Sequence, residues 1–327
     1  MKNKYIKCTI AIVAMMQVFV SCKKDFLELT PRGTALEDNF YKNETEVMQG
    51  VISVYDVMQW GTTGGYTMKM PLLSAASDDT WAGGSNASDQ PNWVAYDNFN
   101  MDPRIGPQGG LWSKNFTGIN RANLILSKIE AATTLSAPFK ARVTAEAKFL
   151  RAYFYFDLVR WFGRVPLITA VLPTADLYTQ AQSTPAQIYA QIEKDLLEAE
   201  PDAPTTYGTK EKDHSRVTKY MVNTLQADVY LWMEKPTEAL AATNKVISSA
   251  KFGLVSNPAT RSNAWFSTVR SGNSNEGIFE LAYGSDYTIR FGITNYPMFA
   301  IFGLGNSSAY RRYQASAYVN EEIFSED

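Results

Sequence analysis

Between residues 138 and 162 the apolar side chains keep a helical period without a lapse. Phe139, Val143, Ala147, Leu150, Phe154 and Leu158 fall at i, i+4, i+8, i+11, i+15 and i+19. This spacing places them on one face of an α-helix. A stripe of that length must be buried against other elements, and helices with matching stripes are the partners that fit it. Gly163 suits the residue after the helix, where a positive φ is needed, and Pro166 stops any continuation.

Matching partners are present. Asn43-Glu-Thr-Glu46 reads as an N-cap with an acid three residues on, and Val47, Val51, Val54, Tyr55 and Met58 follow at helical spacing. Leu111, Phe116, Ile119, Ala122, Leu126 and Ile129 line a second face. Thr184-Pro185-Ala186-Gln187 is a capping box with proline at the first helical position. Residues 216–234 and 236–250 read as a helix pair divided at Pro236, with small contacts at Ala227, Ala239 and Ala242. The expected helices are therefore 44–59, 111–131, 138–162, 184–200, 216–234 and 236–250. The expected fold class is mainly α: tetratricopeptide-like helical hairpins with long irregular aromatic-rich loops and a few short strands. No clean 34-residue self-similarity is visible, so such repeats are degenerate.

Residues 61–110 break the pattern. Gly61, Gly64, Gly65, Gly83, Gly84, Gly106, Gly109 and Gly110, with Pro71, Pro91, Pro103 and Pro107, punctuate about fifty residues of mostly irregular chain. A connection of that length is usually functional or disordered, and its aromatic content argues for the former. Beyond 251 the pattern fragments again, with Gly277–Tyr283 reading as one strand.

The amino terminus sets the compartment. Lys2, Lys4 and Lys7 precede a run at 8–21 that is mostly apolar and too short to cross a bilayer, which takes roughly 20 residues. This is the layout of a secretory signal. It ends at Val18-Phe19-Val20-Ser21-Cys22, which resembles a bacterial lipobox with Phe19 where leucine is usual. That resemblance implies cleavage before Cys22 and lipid on its thiol and new amine. Several acyl chains on one residue exceed what stable anchoring requires.

Composition removes most catalytic classes. The chain has one histidine, His214, and two cysteines, Cys8 and Cys22. One histidine excludes His₂ and His₃ metal sites within a single chain. Cys8 leaves with the signal and Cys22 becomes a thioether, so no thiol chemistry remains. No phosphate-binding glycine loop, nucleophile elbow or H-E-x-x-H is present, and no cofactor is expected. The formal charge of −2 offers no basic surplus, so no nucleic-acid partner is expected. Asp78-Asp79, Asp202 and Glu321-Glu322 are the carboxylates that a glycosidase reading would draw on.

Several stretches, in order, resemble the SusD/RagB family of surface glycan-binding lipoproteins of Bacteroidetes. Asp25-Phe26-Leu27-Glu28-Leu29-Thr30-Pro31 is similar to the family's opening after the lipid cysteine. Trp112, Ile119, Asn120, Ala122 and Asn123 resemble its W…I-x-x-A-N helix. Glu146-Ala-Lys-Phe-Leu-Arg-Ala-Tyr-Phe-Tyr-Phe-Asp-Leu158 with Phe162-Gly163-Arg164-Val165-Pro166-Leu167 is close to its E-x-x-F-L-R-A-x-x-Y-x-x-L…G-x-V-P-L signature. Ile188-Tyr189 to Asp195-Leu196, Arg216 to Lys219 and Ile278-Phe279-Glu280 also fit. The signature residues read as structural, with Glu146 and Arg151 placed to cap or bridge neighbouring helices.

The resemblance implies this organisation: a signal peptide with lipobox at 1–21, a lipid-anchored tether at 22–42, a SusD-like helical repeat region at 43–255, and the truncated start of the C-terminal region at 256–327. It implies a non-catalytic protein, anchored in the outer membrane through Cys22 and facing the exterior. Such a protein binds glycan and delivers it to a SusC-like TonB-dependent transporter. Sugars stack their C–H faces on flat aromatic rings while their hydroxyls pair with polar side chains. Asp78, Trp81, Asn86, Trp93 and Tyr96 in the first loop, and Tyr287 and Arg290 in the later one, are the candidate contacts. The alternatives are a lipid-anchored glycoside hydrolase using a carboxylate pair and a RagB-like peptide-binding uptake protein.

Overall fold

The computed structural model describes residues 40–60, 76–77, 91–102, 108–209, 215–253, 277–279, 283–284 and 316–317. The chain divides into Met1–Phe40 and Tyr41–Asp327, and every element below lies in the second unit. Seven α-helices occur among the described residues: α1 Glu44–Gln59, α2 Pro91–Asp97, α3 Gln108–Ala131, α4 Ala137–Phe162, α5 Pro185–Ala199, α6 Lys219–Trp232 and α7 Pro236–Ile247. Two short antiparallel ladders accompany them, β1 Val165–Pro166 with β2 Gln182–Ser183, and β3 Tyr283–Gly284 with β4 Ser316–Ala317. No described helix is long and apolar enough to cross a membrane.

The caps follow the sequence. The Asn43 side chain accepts from the Glu46 amide at 2.9 Å, and the Glu46 carboxylate accepts from the Lys42 amide at 2.7 Å. Thr184 and Gln187 cap one another reciprocally at the start of α5. Gly163 ends α4 at φ 66°, a left-handed backbone that glycine adopts without a Cβ penalty.

α3 packs on α4, α4 on α5, and α6 on α7, while α1 lies against both α3 and α4, and α6 touches α5 and α4. The short α3–α4 and α6–α7 connections make these pairs antiparallel hairpins, the tetratricopeptide-like units expected. The six expected helices are all present, with ends shifted by up to three residues.

α4 is buried more completely than its stripe required. Beside Val143, Ala147, Leu150, Phe154 and Leu158, the off-stripe residues Ala145, Phe149, Ala152, Phe156 and Val159 are also buried. The reason is its central position, with partners on several sides. Gly118 on α3 permits the closest approach, because a Cβ there would overlap the Phe154 ring.

Two expectations change. The 61–110 stretch is not irregular throughout, since it contains α2, and α3 begins at Gln108. Pro91 supplies a preset first helical residue, and Trp93 and Tyr96 three apart supply a single buried face. Gly277, Ile278 and Phe279 are not in a strand, while Tyr283–Gly284 is one among the described residues.

Candidate functional site

Residues 61–90 link α1 to α2 in sequence. Just before them, Trp60 is tied down at the end of α1. The indole Nε1 donates to Asp56 Oδ2 at 2.9 Å, one helical turn back, and the Arg121 guanidinium lies 4.9 Å above the ring. Arg121 also pairs with Asp56 at 3.3 Å and donates to the Ser53 carbonyl. Lys114 Nζ donates to the Met58 carbonyl at 3.0 Å, placing a cation at the negative end of α1.

At α2 stands a small aromatic core. Trp93 and Tyr96 pack with Leu111, and Trp161 and Phe162 close over them. The Tyr96 hydroxyl donates to Gln108 Oε1 at 2.8 Å, and Gln108 Nε2 donates to the Asp102 carbonyl at 3.1 Å. Burial raises the Tyr96 phenol above its ordinary pKa, so it remains a donor. Trp112 continues the aromatic surface, tilted on Phe116 at 4.8 Å and edge-on to Phe162 at 5.2 Å.

Of the residues named from the sequence as sugar contacts, Trp93 and Tyr96 are each 7% exposed. Neither presents an open ring face. Trp93→Ala is therefore expected to cost about 3 kcal/mol of stability, with glycan affinity per folded molecule unchanged. Parallel melting curves and binding isotherms check this. Asp78, Trp81, Asn86, Tyr287, Arg290, Cys22 and His214 lie outside the described residues, as do Asp79, Glu321 and Glu322. Asp202 is exposed just after α5.

Two buried ionic clusters tie α4 to its neighbours. In the first, Arg151 Nε and Nη2 make a two-pronged contact with Asp195 of α5 at 2.8 and 2.7 Å. Its Nη1 donates to Asn123 Oδ1 at 2.8 Å and to the Thr169 carbonyl at 3.1 Å. Asn123 Nδ2 donates to the carbonyls of Ile168 and Ala170 at 3.0 and 3.3 Å. The Tyr155 hydroxyl donates to the Ile168 carbonyl at 2.9 Å and accepts from the Ile168 amide at 2.6 Å.

In the second cluster, Glu146 accepts from Arg216 at 2.7 Å and from the Tyr55 hydroxyl at 2.6 Å. The Val217 amide donates to the Tyr55 hydroxyl at 2.9 Å, and the Tyr207 hydroxyl donates to the Val217 carbonyl at 2.9 Å. Burial first, and the Glu146 charge second, hold the Tyr55 and Tyr207 phenols well above the usual tyrosine range. Glu146 and Arg151 thus bridge helices, as expected. Sequence reasoning missed the anchors Trp60, Arg121 and Tyr155; the Asp56–Trp60 spacing of i, i+4 is the signal that would have found the first.

No group of three or more His, Cys, Asp or Glu side chains able to hold a metal occurs among the described residues.

Residues 25–231 match the sequence model of the SusD-like family, described as starch-binding and associating with the outer membrane. The chain is a SusD-like protein. A solved laminarin-binding SusD-like protein is 34% identical, with a TM-score of 0.67 over 75% of this chain and 52% of its own. A SusD-like protein of Formosa agariphila is 26% identical over 78% of this chain and 48% of its own. The fold is shared with surface glycan-binding protein A of Bacteroides thetaiotaomicron, solved with laminarihexaose, at a TM-score of 0.64 and 23% identity over 75% of this chain and 50% of its own. The SusD-like chain therefore spans about half the length of these relatives.

Proposed function

We propose that this SusD-like chain is part of a non-catalytic glycan receptor, anchored by lipid at Cys22 on the outer membrane and facing outward. It passes oligosaccharide to a SusC-like TonB-dependent transporter. The observation that carries this reading is the family match over residues 25–231 together with the 34% identity to a laminarin-binding SusD-like protein. The same relative makes laminarin the first ligand to test. The Gly- and aromatic-rich 61–90 segment, flanked in sequence by Trp60 and α2, is where ring faces for stacking are sought, with Trp81 first.

Affinity electrophoresis in laminarin-containing gels tests the binding. Retarded migration, abolished by free laminarihexaose, is the expected result. Unretarded migration in laminarin overturns the assignment of ligand. Release of reducing ends by the purified protein would replace the receptor reading with the hydrolase one. The anchor is tested separately: Cys22→Ala is expected to abolish fatty-acid labelling and move the protein from the membrane fraction to the soluble one. Undiminished labelling would exclude Cys22 as the lipid site.

A further inference from the structure

The helical repeat carries exposed apolar groups of its own. Leu240 and Ile247 on α7 are 62% and 68% exposed. Nothing in their chemistry selects a ligand. Trp232, the last residue of α6, is different: it is 55% exposed and sits beside an acid and a base. Asp228 lies one turn earlier on the same side of α6. Arg160 projects from α4, its Cζ 3.9 Å above the Phe156 ring and 5.8 Å from the centre of the Trp232 ring. Its Nε donates to the Phe156 carbonyl at 3.1 Å, and its Nη2 is 3.5 Å from Asp157 Oδ1. Phe156 forms the floor, with Tyr189 and Trp232 each meeting it edge-on, at 6.4 and 6.5 Å.

We infer that Trp232, Asp228 and Arg160 form a second sugar-binding subsite, taking one neutral pyranose ring on the α4–α6 surface. The inference rests on the glycan-receptor reading and adds a place for the ligand outside the loops. Three features support it. The half-exposed indole offers apolar ring surface on which a sugar's C–H patch can stack. The Arg160 Nη1 stands 3.9 Å from Asp228 Oδ2, beyond direct hydrogen-bond reach. A sugar hydroxyl set beside this loosely paired couple can accept from Arg160 and donate to Asp228 at once. The charges of Arg160 and Asp228 oppose one another, which favours a neutral polyol over a uronate or a phosphate. Tyr189 adds a neutral hydroxyl beside them: burial raises its phenol, with Arg160 opposing and Asp228 adding.

The test is fluorine NMR of the full chain labelled with 5-fluorotryptophan, which gives one signal for each of the seven tryptophans. The Trp232 signal is assigned by its loss in Trp232→Phe. Titration with laminarihexaose is expected to shift that signal saturably. Asp228→Ala is expected to weaken the response at Trp232 about tenfold or more, the scale of one hydrogen bond to a charged group. Other responding tryptophans keep their affinity. If other signals move and Trp232 does not, the subsite is refuted and the glycan reading stands. If no signal moves, the subsite and laminarin as the ligand both fail. A Trp232 shift of undiminished affinity in Asp228→Ala also overturns the site as described, because its hydroxyl-binding pair would be idle.

Discussion

Glu146→Ala is expected to destabilise the protein by about 4 kcal/mol. The carboxylate is fully buried, and its partner Arg216 is 1% exposed. Truncation leaves the guanidinium charged in a site with little water and deprives the Tyr55 hydroxyl of its acceptor. The penalty comes chiefly from the groups left behind. Glu146 lies 91 residues from Tyr55 and 70 from Arg216. Its loss therefore loosens α1, α4 and the approach to α6 together. Urea unfolding followed by far-UV circular dichroism measures the effect. A cost below about 1 kcal/mol would show the cluster to be dispensable, since that is the scale of exposed pairs. The double variant Glu146→Met with Arg216→Met should recover much of the loss, because well-packed apolar replacements of buried pairs are often neutral.

Asp195→Ala is the second large effect, again about 3–5 kcal/mol. Arg151 is 6% exposed and would lose both arms of its contact with α5. The consequence is also local, because the same guanidinium supports the Thr169 carbonyl and orients Asn123. Hydrogen exchange at the Ile168 amide and cleavage within 169–182 should accelerate more than in Glu146→Ala. Equal acceleration in both variants would mean that this segment opens only by global unfolding.

The sequence made the helices readable because caps and stripes are local. Thr184 with Gln187, and Asn43 with Glu46, announce helix starts within four residues. The 3.6-residue period of α4 is equally local. α2 escaped because seven residues among glycines and prolines are too few to establish a period. The partners of Glu146 and Arg151 escaped for another reason. Bridging was legible from the two residues, but the partners Asp195 and Arg216 sit 44 and 70 positions away, and only the packed helices bring them in. Whether an aromatic is open or covered was not legible at all. Trp93 and Trp232 look alike in sequence, and differ because Leu111, Trp161 and Phe162 close over the first.

The link between α4 and α5 is a plug in a socket. The carbonyls of Ile168, Thr169 and Ala170 are gripped from below by Asn123, Arg151 and Tyr155, while two ladder residues close its neck at Val165 and Ser183. The grip is on backbone atoms, which every residue type supplies. The outer rim, from Val171 to Ala181 with Tyr178 92% exposed, bears none of that grip. A lineage, or an engineer, is free to rewrite or lengthen that rim while the scaffold beneath keeps its register.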